Sequence, residues 1–186
     1  ITEETTPLLV RDGGQGLEKA LYSHLWGVPH QRCIFHKIKN IADHLRYTDL
    51  ALEPTLPPAE AVRRAKQARK KAILADAGQV YSTDVSTEIR ARAEVFRATW
   101  GPREPQAVAN FFVDFEQTLG YLTVDFPRAF VSLIRTTNLL ERFHKEIRRK
   151  QRDIGMFQSE RGCEAVWYLI ATRETAKQQA ALGLQR

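Results

Sequence analysis

The apolar positions of this chain change their rhythm once along its length. Residues 7–11 form a short apolar run suited to a buried strand. "GLEKALYSHLW" then sets Leu17, Ala20, Leu21 and Leu25 on one face at helical spacing, predicting a helix over about 16–26. "GVP" at 27–29 ends that helix, and "HQRCIF" at 30–35 reads as a second strand. A strand, a helix and a strand in about 30 residues is the unit of a parallel sheet, so the chain begins as α/β.

After His36 the pattern becomes helical. "HKIKNIADHLRY" continues as a helix, and "EPTLPP" at 53–58 breaks the chain. Three helix-like stretches follow, "AEAVRRAKQARKKAILADA", "TDVSTEIRARAEVFRATW" and "PQAVANFFVDFEQTLGYL", separated by Gly, Pro and Ser/Thr signals. Nothing between about 58 and 125 alternates like a strand. The pattern therefore predicts an all-helical block, residues 51–125, inserted into or appended to an α/β part. Residues 61–71 carry six bases, Arg63, Arg64, Lys66, Arg69, Lys70 and Lys71. They are either a solvated helix face or a helix that contacts phosphates.

"TTNLLERFHKEIRRKQRDIGMF" at 136–157 predicts a helix from about Asn138. At about 100° per residue, Leu139, Leu140, Phe143 and Ile147 fall on one side and are expected to pack inward. Asn138, Glu141, Lys145, Arg148 and Arg152 form a stripe on the opposite side. A single carboxylate thus sits on an otherwise cationic face. Asn138 with Glu141 matches a capping box, and Glu141 with Lys145 an i,i+4 ion pair. Those local roles explain Glu141 as well as a functional site does, but not the further bases of the stripe.

Composition narrows the classes. The chain has 186 residues, enough for a substantial core, with 43% hydrophobic and 27% charged residues. Its net charge is +6, from 28 Lys+Arg against 22 Asp+Glu, which favours a polyanionic partner without specifying sequence. No apolar run approaches the roughly 18 residues of a membrane span, and no basic stretch followed by an apolar run stands at residues 1–20. Two cysteines, Cys33 and Cys163, make no disulfide framework, so a reducing cytoplasm is the expectation.

Two smaller motifs carry chemistry. Asp12 ends the first apolar run, before Gly13 and Gly14, either as a helix cap or as a carboxylate held at the sheet edge. Cys33-x-x-His36 has the spacing of half a zinc site, but structural zinc needs four ligands and Cys163 lies far away without a neighbouring ligand. A buried Cys and a hydrogen-bonded His at a strand end are the simpler reading.

Together, "RDGGQGLEKAL", "PHQRCIFHKIKNI", "TTNLLERFHKEIRRK" and "IGMF" resemble the C-terminal part of Mutator-type transposases of bacterial insertion sequences. The resemblance covers nearly the whole chain in order; its outer blocks are specific, and the helical middle is matched chiefly by Trp100 ahead of a Pro-rich break. It implies a ribonuclease-H-like α/β core carrying a DDE triad, interrupted by a large all-α insertion and mostly helical overall. Residues 1–50 and 126–186 would form the core and 51–125 the insertion. Asp12 would be the second acid and Glu141 the third, binding Mg²⁺ or Mn²⁺ for phosphodiester chemistry. Lys145, Arg148, Arg149, Arg152 and Asn138 would hold DNA phosphates beside the metals. Cys33, His36 and Trp100 match family positions without an assigned role. The implied partners are transposon-end and target DNA and further copies of the protein, acting in the prokaryotic cytoplasm at the nucleoid.

One departure stands out. The first acid of such a triad belongs on an earlier strand, and residues 1–7 offer only Glu3 and Glu4. The expectation is a partial core missing its first strands, inactive alone, with an exposed sheet edge that promotes self-association. Two other readings remain. One is a non-catalytic DNA- or RNA-binding module retaining only the basic helices. The other is a metal-binding helical regulator built on Cys33 and His36.

Overall fold

The computed structural model describes residues 8–25, 27–181 and 183, and it is mostly helical. Two compact units divide the chain, Ile1–Asp125 and Phe126–Arg186.

The first unit opens with β1 (Leu9–Arg11), α1 (Gln15–His24) and β2 (His30–Arg32). The strands pair in parallel, with Leu9 opposite His30, Val10 opposite Gln31 and Arg11 opposite Arg32. The strand–helix–strand reading holds, because ten helical residues return the chain far enough to lay β2 beside β1. The elements are shorter than the sequence pattern predicts. Pro7 and Trp26, at the outer ends of the predicted strand and helix, and Glu3 and Glu4 lie outside the described residues, as do the Leu17 and Ala20 side chains. β2 stops at Arg32, and Ile34 and Phe35, expected in the strand, already belong to α2 (Ile34–Ile41). Ile34, Lys37 and Ile41 are the buried residues of α2, a helical rather than an alternating spacing.

A 3-10 turn (Ala42–His44) leads to α3 (Pro58–Val80), α4 (Ser86–Trp100) and α5 (Pro105–Phe112). Pro58 and Pro105 open α3 and α5, where the missing amide N–H leaves no helical bond unmade. Ile73, Ala77 and Val80 of α3 meet Ile89, Ala93, Phe96 and Trp100 of α4, each set at i, i+4, i+7 spacing. Phe111 of α5 closes this core, its ring within 4.8 Å of Phe96 and 5.6 Å of Phe115. No strand occurs among the described residues of 58–125, as the pattern predicts.

A 3-10 segment (Glu116–Leu122) lies along β2. The Gln31 amide donates to the Thr118 carbonyl at 2.9 Å and accepts the Tyr121 amide N–H at 2.8 Å, so a side chain substitutes for ladder bonds. Gly120 makes this possible: a Cβ there would stand 2.1 Å from the His30 carbonyl oxygen.

The second unit comprises α6 (Arg128–Ile134), α7 (Asn138–Ile154) and α8 (Glu160–Ala181). α7 and α8 pack against each other, with Ile147 and Ile170 buried. Leu140, expected inward, is instead 54% exposed. Leu140 shares a side of α7 with Ile147, two turns further on, but the seam with α8 is lined by Lys150, Asp153 and Ile154 in the C-terminal half of the helix, away from Leu140.

Candidate functional site

Asp12 stands exposed immediately after β1, where the chain turns into α1. Its Oδ1 accepts the Gly14 N–H at 3.0 Å, and Gly13 takes φ +87°, a conformation open to glycine. Asp12 therefore caps locally, two residues along, while Gly14 is the N-cap of α1 and provides no side-chain bond.

Beneath this turn lie two registered arginines. Arg11 is buried and donates to Glu18 Oε1 at 2.7 Å and to Gln117 Oε1. Arg32 is 6% exposed, its Nη1 is buried without a hydrogen-bond partner, and among the described residues it makes no ion pair. Burial and then the Arg11 charge lower the Arg32 pKa, while Cys33, Asp114 and Asp12 act against them. A buried unpaired cation costs several kcal/mol in order of magnitude, so this guanidinium is unusual in a packed chain. Sequence reasoning missed it, because an arginine in a three-residue strand reads as solvent-facing.

Cys33 follows β2, fully buried, as the N-cap of α2. His36 Nδ1 stands 3.4 Å from its sulfur, one turn on, so the pair forms a local contact within α2. Trp100 is buried at the end of α4, and its indole N–H donates to Asp76 Oδ2 at 2.8 Å, which makes it a core residue of the helical block. Of the six bases in 61–71, Arg69 proves structural. It donates to the Asp49 carbonyl at 2.7 Å and to the Thr48 carbonyl, and pairs with the fully buried Glu104 at 3.2 Å. Arg64 pairs with Glu60 at 2.8 Å, and Lys66 lies 5.4 Å from the Tyr47 ring centre.

In the second unit, α7 carries Glu141, Lys145, Arg148 and Arg152 as exposed residues at i, i+4, i+7 and i+11, with Asn138 also exposed. The predicted capping box does not form. Thr137 is the N-cap and Asn138 the first helical residue, so the helix begins one position earlier than that motif requires. Thr137 Oγ1 instead donates to Glu141 Oε1 at 2.7 Å. Lys145, Arg148 and Arg152 make no ion pair among the described residues, so the expected Glu141–Lys145 pair is absent as well. Arg149 is engaged differently, donating to Glu146 Oε2 at 3.0 Å. Arg173 of α8 donates to the same oxygen at 2.9 Å, and Arg149 and then Arg173 hold the Glu146 carboxyl below its ordinary range.

Asp12 belongs to the first unit and Glu141 to the second. Asp12 offers an exposed, hard carboxylate oxygen of the kind Mg²⁺ or Mn²⁺ takes. No group of three or more His, Cys, Asp or Glu able to hold a metal occurs among the described residues, so Asp12 fits as one ligand of a set. No helix among them is long and apolar enough to cross a membrane.

The chain is 27% identical over 156 residues to the transposase for insertion sequence element IS406 of Burkholderia multivorans, covering 84% of this chain and 35% of that protein. It is 27% identical over 169 residues to the transposase for IS905 of Lactococcus lactis, covering 90% and 36%. It is 25% identical over 158 residues to the transposase for ISRM5 of Rhizobium meliloti, covering 84% and 34%. The chain thus spans about a third of the length of these curated relatives. No solved structure matches. The family model described as "Transposase, Mutator family" matches residues 58–180, a range that contains the helical middle, Trp100 and the whole of α7. With two thirds of its length inside that match, the chain belongs to the Mutator family of transposases.

Proposed function

We propose that this chain is the C-terminal part of a DDE-type transposase that cuts and joins DNA at transposon ends. The observation that carries the reading is the exposed stripe of α7, where Glu141 shares a face with Lys145, Arg148 and Arg152 inside the family-matched range. In this reading residues 1–50 and 126–186 belong to a ribonuclease-H-like core, and 51–125 to its helical insertion. Asp12 supplies the second carboxylate and Glu141 the third. Magnesium or manganese, when bound, supplies Lewis acidity toward the attacking and leaving oxygens of a phosphodiester.

The chain's own residues do the rest. Asp12 is held rigidly at the end of β1 by the Gly14 amide, and Glu141 is steadied by the Thr137 hydroxyl, so each carboxylate presents an oriented oxygen. Lys145, Arg148 and Arg152 take DNA phosphates and set the strand's position without reading its bases. Asn138 adds a neutral donor at the start of the same stripe. Arg149 contributes only when it leaves Glu146, so its part is the smallest. A first aspartate from an upstream strand completes the triad. The active species is a multimer on paired ends in the bacterial cytoplasm.

The test uses the full-length transposase containing this chain. Asp12→Asn and Glu141→Gln should each lower divalent-metal-dependent cleavage of transposon ends by about 100-fold or more, while DNA affinity changes only a few-fold. Cleavage that survives Glu141→Gln overturns the assignment. The Thr137–Glu141 contact favours one second reading, in which Glu141 only stabilises the helix start and the chain is a non-catalytic nucleic-acid-binding module. Such a module binds equally in chelator and in metal and never cleaves.

A further inference from the structure

The turn "DGGQG" between β1 and α1 has the parts of an anion site that the triad chemistry does not use. α1 runs ten residues, and its N-cap, Gly14, offers no side chain to its first amides. Those amides, of Gln15, Gly16 and Leu17, are the donors that a helix start leaves unmatched, and they carry the positive end of the helix dipole. Gly16 opens onto free space, with no atom within 4 Å of where its Cβ would stand. A ligand oxygen can therefore approach the backbone closely.

The second observation is independent of the helix. The Arg32 guanidinium lies against the turn: a Cβ on Gly13 would stand 1.9 Å from its Cζ and 2.1 Å from Nη1. Nη1 is buried and has no hydrogen-bond partner. Arg11, its registered neighbour on β1, is neutralised by Glu18 at 2.7 Å, whereas Arg32 has no carboxylate in contact among the described residues. Asp12 and Asp114 lie near enough to act on Arg32 through space, but neither bonds to it. One cation of the pair is matched and the other is left for something outside the chain.

We propose that Arg32 and the N-terminal amides of α1 form a phosphate-oxyanion site beside Asp12. That its occupant is a phosphodiester of a DNA strand rests on the transposase reading; the site itself rests on the geometry of the turn. Arg32 presents a fork suited to two phosphate oxygens, and the glycines let the backbone come within hydrogen-bond reach. A phosphate held here fixes the strand next to the Asp12 carboxylate. Arg32 is in this sense a positioning residue.

The experiment follows the backbone amide resonances of the 186-residue chain during titration with inorganic phosphate, and separately with a six-nucleotide oligothymidylate, at constant ionic strength. Both probes should move the Gly14, Gln15 and Gly16 amides of the unmodified chain. Arg32→Gln should weaken both about tenfold or more, and Arg32→Lys should restore part of the loss. Asp12→Asn should tighten phosphate binding, because it removes the bordering negative charge, although it is expected to abolish cleavage in the full-length protein. That opposite sign separates this site from the proposed chemistry: cleavage surviving Asp12→Asn counts against the triad and leaves the anion site intact. Response to phosphate but not to the oligonucleotide overturns DNA as the occupant. No movement of these amides in the unmodified chain overturns the site, and that measurement holds even where Arg32→Gln fails to fold.

Discussion

Two helices of this chain are rich in bases, and they use them in opposite ways. On α3, Arg64 answers Glu60, Lys66 lies over the Tyr47 ring, and Arg69 is drawn into the first unit to pair with Glu104 and bridge the carbonyls of Thr48 and Asp49. On α7, Lys145, Arg148 and Arg152 stay exposed, without ion pairs among the described residues, along one face that also bears Glu141. Net charge counts both helices alike. What separates Arg64 and Arg69 from Arg148 and Arg152 is whether the cation already has an anion inside the fold, and an unmatched cation remains to meet an external polyanion.

The comparison breaks most easily at Glu104. Its carboxylate is fully buried and takes the Arg46 N–H at 2.7 Å, the Tyr47 N–H at 3.1 Å and the Arg69 guanidinium. Glu104→Ala leaves the Arg46 and Tyr47 amides unanswered and strips Arg69 of its carboxylate, and should lower unfolding stability by about 3–5 kcal/mol in urea titration. Arg69→Gln should also destabilise, yet leave the salt dependence of DNA binding unchanged. A reduced salt slope for Arg69→Gln would mean that α3 meets DNA after all.

The complementary variant is the double substitution Arg148→Gln with Arg152→Gln. Both residues are exposed, so stability should stay within about 0.5 kcal/mol of the unmodified chain. If each holds one phosphate of duplex DNA, the slope of log affinity against log salt should flatten by about 1.8 for the pair. A destabilised fold with an unchanged slope would reverse the assignments of the two helices.

Much of this contrast was legible in the sequence, and the missing part has a physical cause. The parallel strand–helix–strand start, the helical character of 58–125 and the exposed stripe of α7 all follow from spacing, which a single sequence displays directly. The difference between Arg69 and Arg148 does not. It depends on Glu104, 35 residues beyond Arg69, and on a loop in which Tyr47 and Asp49 take positive φ. Arg32 escaped for the same reason, since its burial depends on the register with Arg11 and on the 3-10 segment lying along β2. Leu140 and the capping box were misread by local rules. The helix starts one residue earlier than the motif, and the buried face is set by where α8 packs. Long-range pairing decides which side chains are answered, and periodicity reports only which ones share a face.

Lys37 provides the finest test, because it belongs to neither class of cation. It is buried on α2, donates to the Asn110 carbonyl at 2.8 Å and to the Val113 carbonyl, and so satisfies the end of α5 without a carboxylate in contact. Its pKa falls from 10.5 to about 8, chiefly through burial, with Asp114 acting against the shift and Arg32 with it. Below about pH 8 the folded and unfolded chains both carry the ammonium, and its desolvation weighs against folding. Between about 8 and 10.5 the folded chain has released a proton that the unfolded chain still holds, so stability rises with pH across that window and levels off above it. A shift from 10.5 to about 8 corresponds to a rise of about 3 kcal/mol. Lys37→Met removes the titrating group, and urea midpoints for the two chains between pH 7 and pH 10.5 should differ in slope by that amount. Parallel curves would show that the ammonium is as well solvated in the fold as in water, and that the first unit tolerates unmatched cations more readily than the contrast between α3 and α7 implies.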